Sequence, residues 1–356
     1  MDRIAVWFPN WIGDVVLSFP ALKALKELYP RARIVGIVRR EICGILKANP
    51  DLDAVYPWER RSLRQTLSLL FSLRTCRFDL VLVLPNSWKS AFLARLSGAR
   101  RRVGYAREGR RLLLSDPVAC SMQIRNLHHA DYFLNLVRSL GWDGMRPHLT
   151  LTVEEEAVNR MRDYLCTYGL DGKEPLVAVH PGASKGPRGW AVERFADVCR
   201  ELWSRQKIRS LVLGTEQEGR QWAEAFQGPG MFLATGQVAL EDLPALLKHC
   251  DLFLGNDSGI MHVAAAVGTP VVGIFGPGTT ERTGPVLDPD RHRVVSRRFP
   301  CSPCRQKFFK ECAPAPSGKP YCLEEIGVDE VIRASQDLLK KAIARRALQG
   351  VEQRGS

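Results

Sequence analysis

The 356-residue sequence has no run of about 18 or more uncharged apolar residues. A helix needs such a run to cross a bilayer, so the sequence predicts no membrane-spanning segment. The N-terminus also lacks the basic segment and cleavage site of a secretory signal peptide, because Met1 leads directly into a short apolar strand. These two absences lead us to expect a cytoplasmic protein.

Acidic residues are in deficit, with 38 Asp and Glu against 51 Lys and Arg, for a net charge of +13. This excess favours a polyanionic partner, which could be nucleic acid, an anionic membrane surface or a phosphorylated substrate. Hydrophobic residues make up 45% and charged residues 25% of the chain, which excludes wholesale disorder. The length suits two domains of ordinary size.

Cysteine is sparse along most of the chain, where six of the ten residues stand singly in apolar segments. Such cysteines are usually buried and reduced. The other four form a cluster near the C-terminus: Cys301, Cys304, Cys312 and Cys322. This cluster could hold a structural zinc ion, although its second half lacks the tight C-x2-C spacing, and a metal-free loop of reduced thiols explains it equally well.

Strands alternate with helices along the chain, which predicts an α/β protein with doubly wound parallel sheets. Apolar runs predict strands at 4–8, 33–38 and 79–84 in the first half, and four strands in the second half. Pro20 interrupts the first helical pattern, so that either the helix bends there or it starts there with Ser18 as its cap. We expect domains at 1–165 and 170–325, followed by a basic helix at 328–348.

Parallel sheets bind ligands at the carboxyl ends of their strands, so the loops that follow the predicted strands are the candidate sites. In the second half, residues 255–262 read Gly-Asn-Asp-Ser-Gly-Ile-Met-His between a strand and a helix. A helix N-terminus of this kind can hold a phosphate on its amides. The alternative is that Asp257 or Ser258 only caps the helix.

The first strand-to-helix loop, residues 10–14, reads Asn-Trp-Ile-Gly-Asp. It lacks the three glycines of a dinucleotide-binding fingerprint, which argues against NAD or FAD in this domain. Asp14 could serve as the base that a sugar hydroxyl needs when it attacks an anomeric carbon. By itself, an Asp at this position is more often a helix cap.

Two basic segments could bind anions. The glycine-rich loop at 180–190 carries Lys185 and Arg188, which suit a diphosphate leaving group. In the first half, an arginine-dense segment with Lys89 upstream could bind phosphates or carboxylates, or be an ordinary solvated face. Its members are Arg95, Arg100, Arg101, Arg102, Arg107, Arg110 and Arg111. Few aromatic residues interleave these cations, so we expect no nucleic acid there.

Taken together, these motifs resemble the ADP-heptose:lipopolysaccharide heptosyltransferases of glycosyltransferase family 9, and are most similar to the heptosyltransferase II branch. The matching segments run in the family's order: residues 10–14, 84–90, 181–183, 256–262 and 301–304. The resemblance implies a GT-B fold, in which two Rossmann-like domains face a cleft. The first domain would bind the acceptor and the second ADP-heptose.

The resemblance also implies roles for individual residues in an inverting transfer that needs no cofactor. Asp14 falls on the general base, and from the first-half loops and the arginine-dense segment we expect acceptor contacts at Asn10, Asn86, Lys89, Arg101 and Arg102. The donor contacts would be Ser184, Glu218, Asp257, Ser258, Gly259 and His262. The family commonly has a phosphate-contacting lysine where this chain has Arg188, so either Arg188 keeps that role or Lys185 takes it.

The expected reaction is therefore heptose transfer from ADP-heptose to the heptose of the lipopolysaccharide inner core, by a protein that contacts the anionic inner membrane peripherally. Two alternatives remain open. Another member of the family could add a different heptose, and a nucleotide- or nucleic-acid-binding protein without activity would also account for the charge and the sheets.

Overall fold

Two parallel β-sheets organise the chain in the computed structural model, which describes residues 1–59, 62–172, 174–302, 304 and 306–352. The chain divides into two units, Met1–Thr152 and Val153–Ser356. Each unit has its own sheet and its own hydrophobic core.

The first unit is built from six strands and seven α-helices within its described residues. The strands are β1 (Arg3–Trp7), β2 (Arg33–Arg39), β3 (Ala54–Trp58), β4 (Leu80–Val83), β5 (Arg101–Tyr105) and β6 (Asp116–Val118). The helices are α1 (Ile12–Leu17), α2 (Phe19–Leu28), α3 (Cys43–Lys47), α4 (Leu63–Cys76), α5 (Trp88–Leu96), α6 (Met122–Asn126) and α7 (His129–Arg138). Two short 3₁₀ helices, Arg40–Ile42 and Arg110–Leu113, complete it.

The second unit repeats this plan. Its strands are β7 (Leu176–His180), β8 (Arg209–Val212), β9 (Met231–Leu233), β10 (Leu252–Asn256), β11 (Val271–Phe275) and β12 (His292–Ser296). Its helices are α8 (Glu155–Thr167), α9 (Val192–Gln206), α10 (Glu216–Trp222), α11 (Leu243–Lys248), α12 (Gly259–Ala266), α13 (Thr280–Thr283), α14 (Tyr321–Glu324) and α15 (Val328–Glu352). The 3₁₀ helices are Gly186–Arg188 and Pro289–Arg291.

Both sheets have the same strand order. The first runs β3-β2-β1-β4-β5-β6 and the second runs β12-β11-β10-β7-β8-β9, with every pair parallel. Numbered within each unit, both are the 3-2-1-4-5-6 order of Rossmann folds. The predicted doubly wound α/β class is therefore confirmed.

The sequence predicted fewer strands than the structure contains, three in the first half and four in the second. The missing ones include the edge strands β3, β6, β9 and β12, whose residues are mostly half-buried. A half-buried edge strand lacks the continuous apolar run that marks a central parallel strand, because part of its surface faces water.

The break near Pro20 separates two helices. Helix α1 ends at Leu17, and α2 begins at Phe19 with Pro20 in its first turn. Proline is tolerated there because the first amides of a helix have no intrahelical acceptor. Ser18 occupies the junction, but its hydroxyl donates to the Val15 carbonyl at 2.6 Å and does not cap α2.

Helix α8 belongs to the second unit, whereas the sequence placed residues up to 165 in the first domain. Its contacts explain the difference. The carbonyl oxygen of Val158 lies 2.8 Å from Nε2 of His249, and Arg160 donates to Asp242 at 2.6 Å, so α8 is bonded to the α11 region.

The C-terminal helix α15 is an integral part of the second unit's core. Its residues Val331, Leu338 and Leu339 are buried among the side chains of α9 and of the sheet. Across the residues that the structure describes, no helix, α15 included, is both long and apolar enough to cross a membrane.

Candidate active site

In the first unit, β1 and β4 are neighbours in the sheet, and the chain leaves them in opposite directions. This is the topological switch point, where the loops after two adjacent strands diverge and leave a crevice at the carboxyl edge of the sheet. Residues 10–14, the last three of which begin α1, follow β1, and the loop at residues 84–87 follows β4. The switch point of the second unit lies between β7 and β10.

Asp14 is fixed by a histidine at the carboxyl edge of the first sheet. The ring nitrogen Nδ1 of His129 lies 2.9 Å from Oδ1 of Asp14, and both side chains retain a quarter to a third of their exposure. Asp14 does not occupy the N-cap position of α1, which belongs to Trp11. The interpretation of Asp14 as a helix cap is therefore not supported, and the carboxylate keeps a water-accessible surface.

Helix α7 carries two side chains to this edge. His128 accepts a hydrogen bond from the Ala130 amide at 3.2 Å and so caps α7, which directs the next residue, His129, to Asp14. One turn further, Tyr132 contacts Asn86, with its hydroxyl 2.9 Å from Nδ2 and 3.1 Å from Oδ1. From sequence alone, the adjacent His128 and His129 are interpreted as packing and hydrogen-bonding residues, and Tyr132 is not singled out, since no local pattern indicates what a helix start will contact.

Two arginines of the arginine-dense segment support the Asn86 loop. Arg110 is completely buried, and it donates to the carbonyls of Tyr105 and Pro85 and to Oδ1 of Asn86. Burial lowers the pKa of Arg110 to about 10. Arg107 is half-buried, and its hydrogen bond to Tyr132 raises the pKa of its guanidinium. Arg110 is thus a structural cation, whereas Arg107 lies beside Tyr132 at the carboxyl edge.

Arg101 and Arg102, which the sequence placed in the acceptor site, lie at the other edge of the sheet. They begin β5 and stand in register with Leu80 and Val81, the first residues of β4. Their charges are also used locally. Arg101 pairs with Asp116 at 2.6 Å, and Arg102 donates to backbone carbonyls, including that of Ala99 at 2.6 Å. The structure therefore removes both arginines from the site around Asp14.

Lys89 and Asn10 remain near the switch point of the first unit. Lys89 is exposed in the first turn of α5, and its ammonium lies 5.4 Å from the centre of the Trp58 ring. Asn10 follows β1, and its carbonyl accepts a hydrogen bond from Arg39 at 3.5 Å. Both residues are placed where a polar ligand at this edge could be contacted.

In the second unit, a buried histidine ends β7. His180 is 8% exposed, and Oγ of Ser258 lies 3.5 Å from its Nδ1. Burial lowers the pKa of His180 to about 4, against the opposing effect of the Glu218 carboxylate. A side chain at Gly182 would place its Cβ 2.7 Å from Glu218 Oε1 and 2.8 Å from His180 Nε2. Only glycine fits this close approach.

One carboxylate oxygen of Glu218 accepts hydrogen bonds at the start of α10. Its Oε2 accepts from the amide and the hydroxyl of Thr215, both at 2.8 Å, and so completes the capping box of α10. The other oxygen, Oε1, is the one that approaches Gly182 and His180. One carboxylate therefore fixes a helix start and faces the loop after β7.

Arg188 and Asp257 form an ion pair that joins the two switch-point loops of the second unit. Asp257 is 7% exposed, and the neighbouring Asn256 is fully buried. Asn256 accepts from the Trp190 amide at 3.0 Å and donates to the Pro181 carbonyl at 2.6 Å. These bonds fix the loop at 181–190 against the loop that precedes α12.

The start of α12 lies beside this pair. Ser258 occupies the N-cap position, but its side chain accepts no hydrogen bond from the first turn. Asp257 is bonded to Arg188, and a side chain at Gly278 would collide with its Oδ2. His262 is buried one turn into α12, whereas Ser184 and Lys185 are exposed in the loop after β7. The arrangement combines a cation, a helix N-terminus and small residues, which is what a diphosphate requires.

The four cysteines near the C-terminus follow β12, and the last of them lies in α14. Burial raises the pKa of Cys322 to about 11, and the charges of Cys301, Cys304 and Cys312 add to the increase, so these three lie close enough to act on Cys322. All four are free. Among the described residues, which omit Pro303 and Arg305, no group of three or more His, Cys, Asp and Glu is arranged to hold a metal ion. The geometry thus gives no support to the zinc interpretation.

Two doubly wound domains, each with polar residues at its switch point, are the architecture of GT-B glycosyltransferases. Residues 66–312 match the model of glycosyltransferase family 9 (heptosyltransferase). The chain belongs to this family and is a glycosyltransferase.

The chain is similar to several characterised heptosyltransferases. It is 28% identical to lipopolysaccharide heptosyltransferase 2 of Escherichia coli strain K12 over 312 residues, which cover 80% of this chain and 85% of that protein. It is 27% identical to lipopolysaccharide heptosyltransferase 3 of Escherichia coli over 277 residues, or 74% and 80% of the two chains. The solved structure of E. coli ADP-heptose lps heptosyltransferase II superposes with a TM-score of 0.80 at 24% identity, covering 95% of this chain and 99% of that one.

The buried, uncharged His180 gives the protein a defined pH dependence. Its pKa is about 4 in the folded protein and near 6.5 when unfolded, so the unfolded chain binds more protons between these values. The free energy of unfolding should therefore fall as the pH drops from about 6.5 to 4, by an amount on the order of 3 kcal/mol from this group.

Chemical denaturation of the full chain at a series of pH values, followed by tryptophan fluorescence, measures this fall. His180→Gln should show a shallower fall over the same range, whereas the same change at the exposed His148 should leave it unchanged. Equal slopes in the wild-type protein and in His180→Gln would mean that His180 does not lose its proton on burial.

Proposed function

We propose that the chain transfers a heptose from ADP-L-glycero-β-D-manno-heptose to the heptose of the lipopolysaccharide inner core, the reaction of heptosyltransferase II, with inversion at the anomeric carbon. Membership of family 9 and the similarity to lipopolysaccharide heptosyltransferases 2 and 3 support the reaction class. The first unit binds the acceptor and the second binds ADP-heptose.

The observation that carries the proposal is the pair formed by Asp14 and His129. A hydroxyl that attacks an anomeric carbon must lose its proton, and a positioned carboxylate can accept it. His129 holds one oxygen of Asp14 at 2.9 Å, which fixes the orientation of the carboxylate. The side chain is still 29% exposed, so the carboxylate is accessible to an acceptor hydroxyl.

In the second unit we assign the donor diphosphate to the start of α12. Ser258 and Gly259 supply amides at a helix N-terminus, where the partial positive charge favours an anion. Arg188, held by Asp257, stabilises the negative charge that grows on the departing ADP. We assign Glu218, Ser184 and His262 to contacts with the rest of the donor. These groups supply the charge stabilisation themselves, so the proposed reaction calls for no cofactor.

For the acceptor we retain Asn10, Asn86 and Lys89 and add Arg107. The support is their common position at the carboxyl edge of the first sheet, with Asn86 and Arg107 linked through Tyr132. We place the reaction in the cytoplasm, in peripheral contact with the anionic surface of the inner membrane. The net charge of +13 supports that contact.

A second candidate is transfer to a different position of the core. The 27% identity to a heptosyltransferase 3 equals, within one per cent, the 28% identity to a heptosyltransferase 2, so identity does not distinguish the two acceptors. This candidate shares the donor and the base and differs only in the acceptor.

ADP release should distinguish these acceptors. With ADP-heptose as donor and core acceptors that carry no heptose, one heptose or two, we expect turnover to be highest with the mono-heptosylated acceptor. The product should be one heptose heavier by mass spectrometry. Preference for the heptose-free or the di-heptosylated acceptor would contradict the proposed specificity while leaving the reaction class intact.

Removal of the proposed base tests the mechanism. Asp14→Asn keeps the size of the side chain but cannot accept the proton, so kcat should fall by a factor on the order of 10²–10⁴. ADP binding, measured by calorimetry, should be unchanged because the nucleotide is assigned to the second unit. Asp51→Asn is the matched control, since Asp51 pairs with Lys23 before β3. Near-normal turnover of Asp14→Asn would remove Asp14 from the mechanism.

The two cations of the loop after β7 can be separated by substitution. Arg188 is bonded to Asp257 and only 20% exposed, whereas the exposed Lys185 makes no hydrogen bond or ion pair with described residues. We therefore expect Arg188→Gln to lower kcat about tenfold or more and Lys185→Gln to have a smaller effect. Steady-state kinetics with ADP-heptose measures both. The reverse order would assign the phosphate contact to Lys185.

A further inference from the structure

A cavity of about 700 Å³ lies in the second unit, away from the proposed donor site. Its lining includes Leu176 and Arg209, the first residues of β7 and β8, and Asp251 and Pro270, which directly precede β10 and β11. It is therefore at the amino edge of the sheet, whereas His180 and Asp257 are at the carboxyl edge. Its volume is in the range of small-molecule sites.

Positive charge dominates the lining. Six lysine and arginine side chains line the cavity, against three carboxylates. The cations are Arg162, Arg209, Lys248, Arg291, Arg345 and Arg346. Glu174 pairs with Arg209, and Asp251 lies 3.4 Å from Arg346, so two of the three carboxylates are already engaged by cations of the lining.

Some of these cations have a structural role. Helices end at this edge, and cations there stabilise their terminal carbonyls. Arg209 donates to the Gly169 carbonyl after α8 at 2.7 Å, and Arg291 donates to the Gly268 carbonyl after α12. This role does not extend to Arg162, Lys248 and Arg345, which form no hydrogen bond or ion pair within the described part of the chain.

Arg291 and Arg345 both line the cavity, and the charge of Arg345 acts unfavourably on Arg291. The pKa of Arg291 is lowered, first by burial and then by the charge of Arg345. The Nε of Arg291 is buried without a hydrogen-bond partner among the described residues. Two nearby carboxylates offset part of this: Asp288 acts favourably on Arg291, and Asp290 interacts with Arg345, although its own ion pair is with Lys341 at 3.0 Å. An anion between the two guanidiniums would relieve their repulsion, although it would not reach the enclosed Nε of Arg291.

We propose that this cavity is a second anion-binding site, which holds the phosphate group of a phosphorylated ligand between Arg291, Arg345 and Lys248. The ligand is either a free phosphorylated molecule or the headgroup of an anionic phospholipid. The site goes beyond the proposed transfer reaction, since it shares no residue with the donor site.

The test compares the full-length protein with the double variant Lys248→Gln/Arg345→Gln. These two side chains are chosen because neither bonds to the protein in the structure, so their loss should not unfold it. The matched control is Arg333→Gln/Lys340→Gln, which makes the same charge change at exposed positions of α15 outside the cavity. Calorimetry with inorganic pyrophosphate at low ionic strength reports binding.

We expect the cavity variant to lose one equivalent of pyrophosphate, or to bind it at least about tenfold more weakly, and the control to behave as wild type. If the donor site also binds, the wild-type protein takes up two equivalents and the cavity variant one. If the donor assignment is wrong, the wild-type protein binds one equivalent of pyrophosphate and the cavity variant binds none. The two proposals can therefore fail independently of each other. If the cavity variant binds pyrophosphate with the same stoichiometry and affinity as the wild-type protein, the inference is overturned and these cations have no ligand.

Vesicle sedimentation distinguishes the two sources of phosphate. Phosphatidylcholine vesicles with and without phosphatidylglycerol are the probes. If the cavity variant loses both pyrophosphate and the anionic vesicles, while the control keeps both, the ligand is a lipid headgroup. If it loses pyrophosphate alone, the ligand is a free phosphorylated molecule.

Discussion

The parallel register of the two six-stranded sheets is the constraint on which every site in this glycosyltransferase depends. Because all strands of a sheet point the same way, helix N-termini gather at one edge and helix C-termini at the other. The strand order then opens a crevice only between β1 and β4 and between β7 and β10. Asp14 and Asp257 are chemically alike, and both are placed by that geometry.

Buried polar groups give both crevices their rigidity. Arg110 in the first unit and Asn256 in the second are fully buried, and each bonds a backbone carbonyl of a switch-point loop, at Pro85 and Pro181 respectively. A buried polar group that lost these partners would cost free energy, so the loops are held in one conformation. The side chains that face a ligand can then be few. Asp14 needs only His129, and Arg188 needs only Asp257, to be oriented.

Basic side chains lie at both the carboxyl and the amino edges of the sheets, and their partners differ between the two edges. At the carboxyl edges lie Lys89 and Arg188, the cations that we propose to contact anionic substrates. At the amino edge of the second sheet, cations meet the carbonyl ends of helices, and Arg209 and Arg291 serve them directly. Other cations at this edge line the cavity described above. A net charge read from composition cannot separate these uses, because all of these side chains carry the same charge.

The sequence by itself determined the central strands, the doubly wound class and the loops at 10–14 and 256–262, because buried parallel strands are continuous apolar runs and ligand loops follow them directly. It also led to the family through those loops. Only the tertiary structure decided that His129 meets Asp14, that Arg107 lies beside Tyr132 and that Arg101 and Arg102 lie at the far edge of the sheet. These outcomes depend on which strand ends at which edge and on how α7 packs, and neither is encoded in any local run of residues.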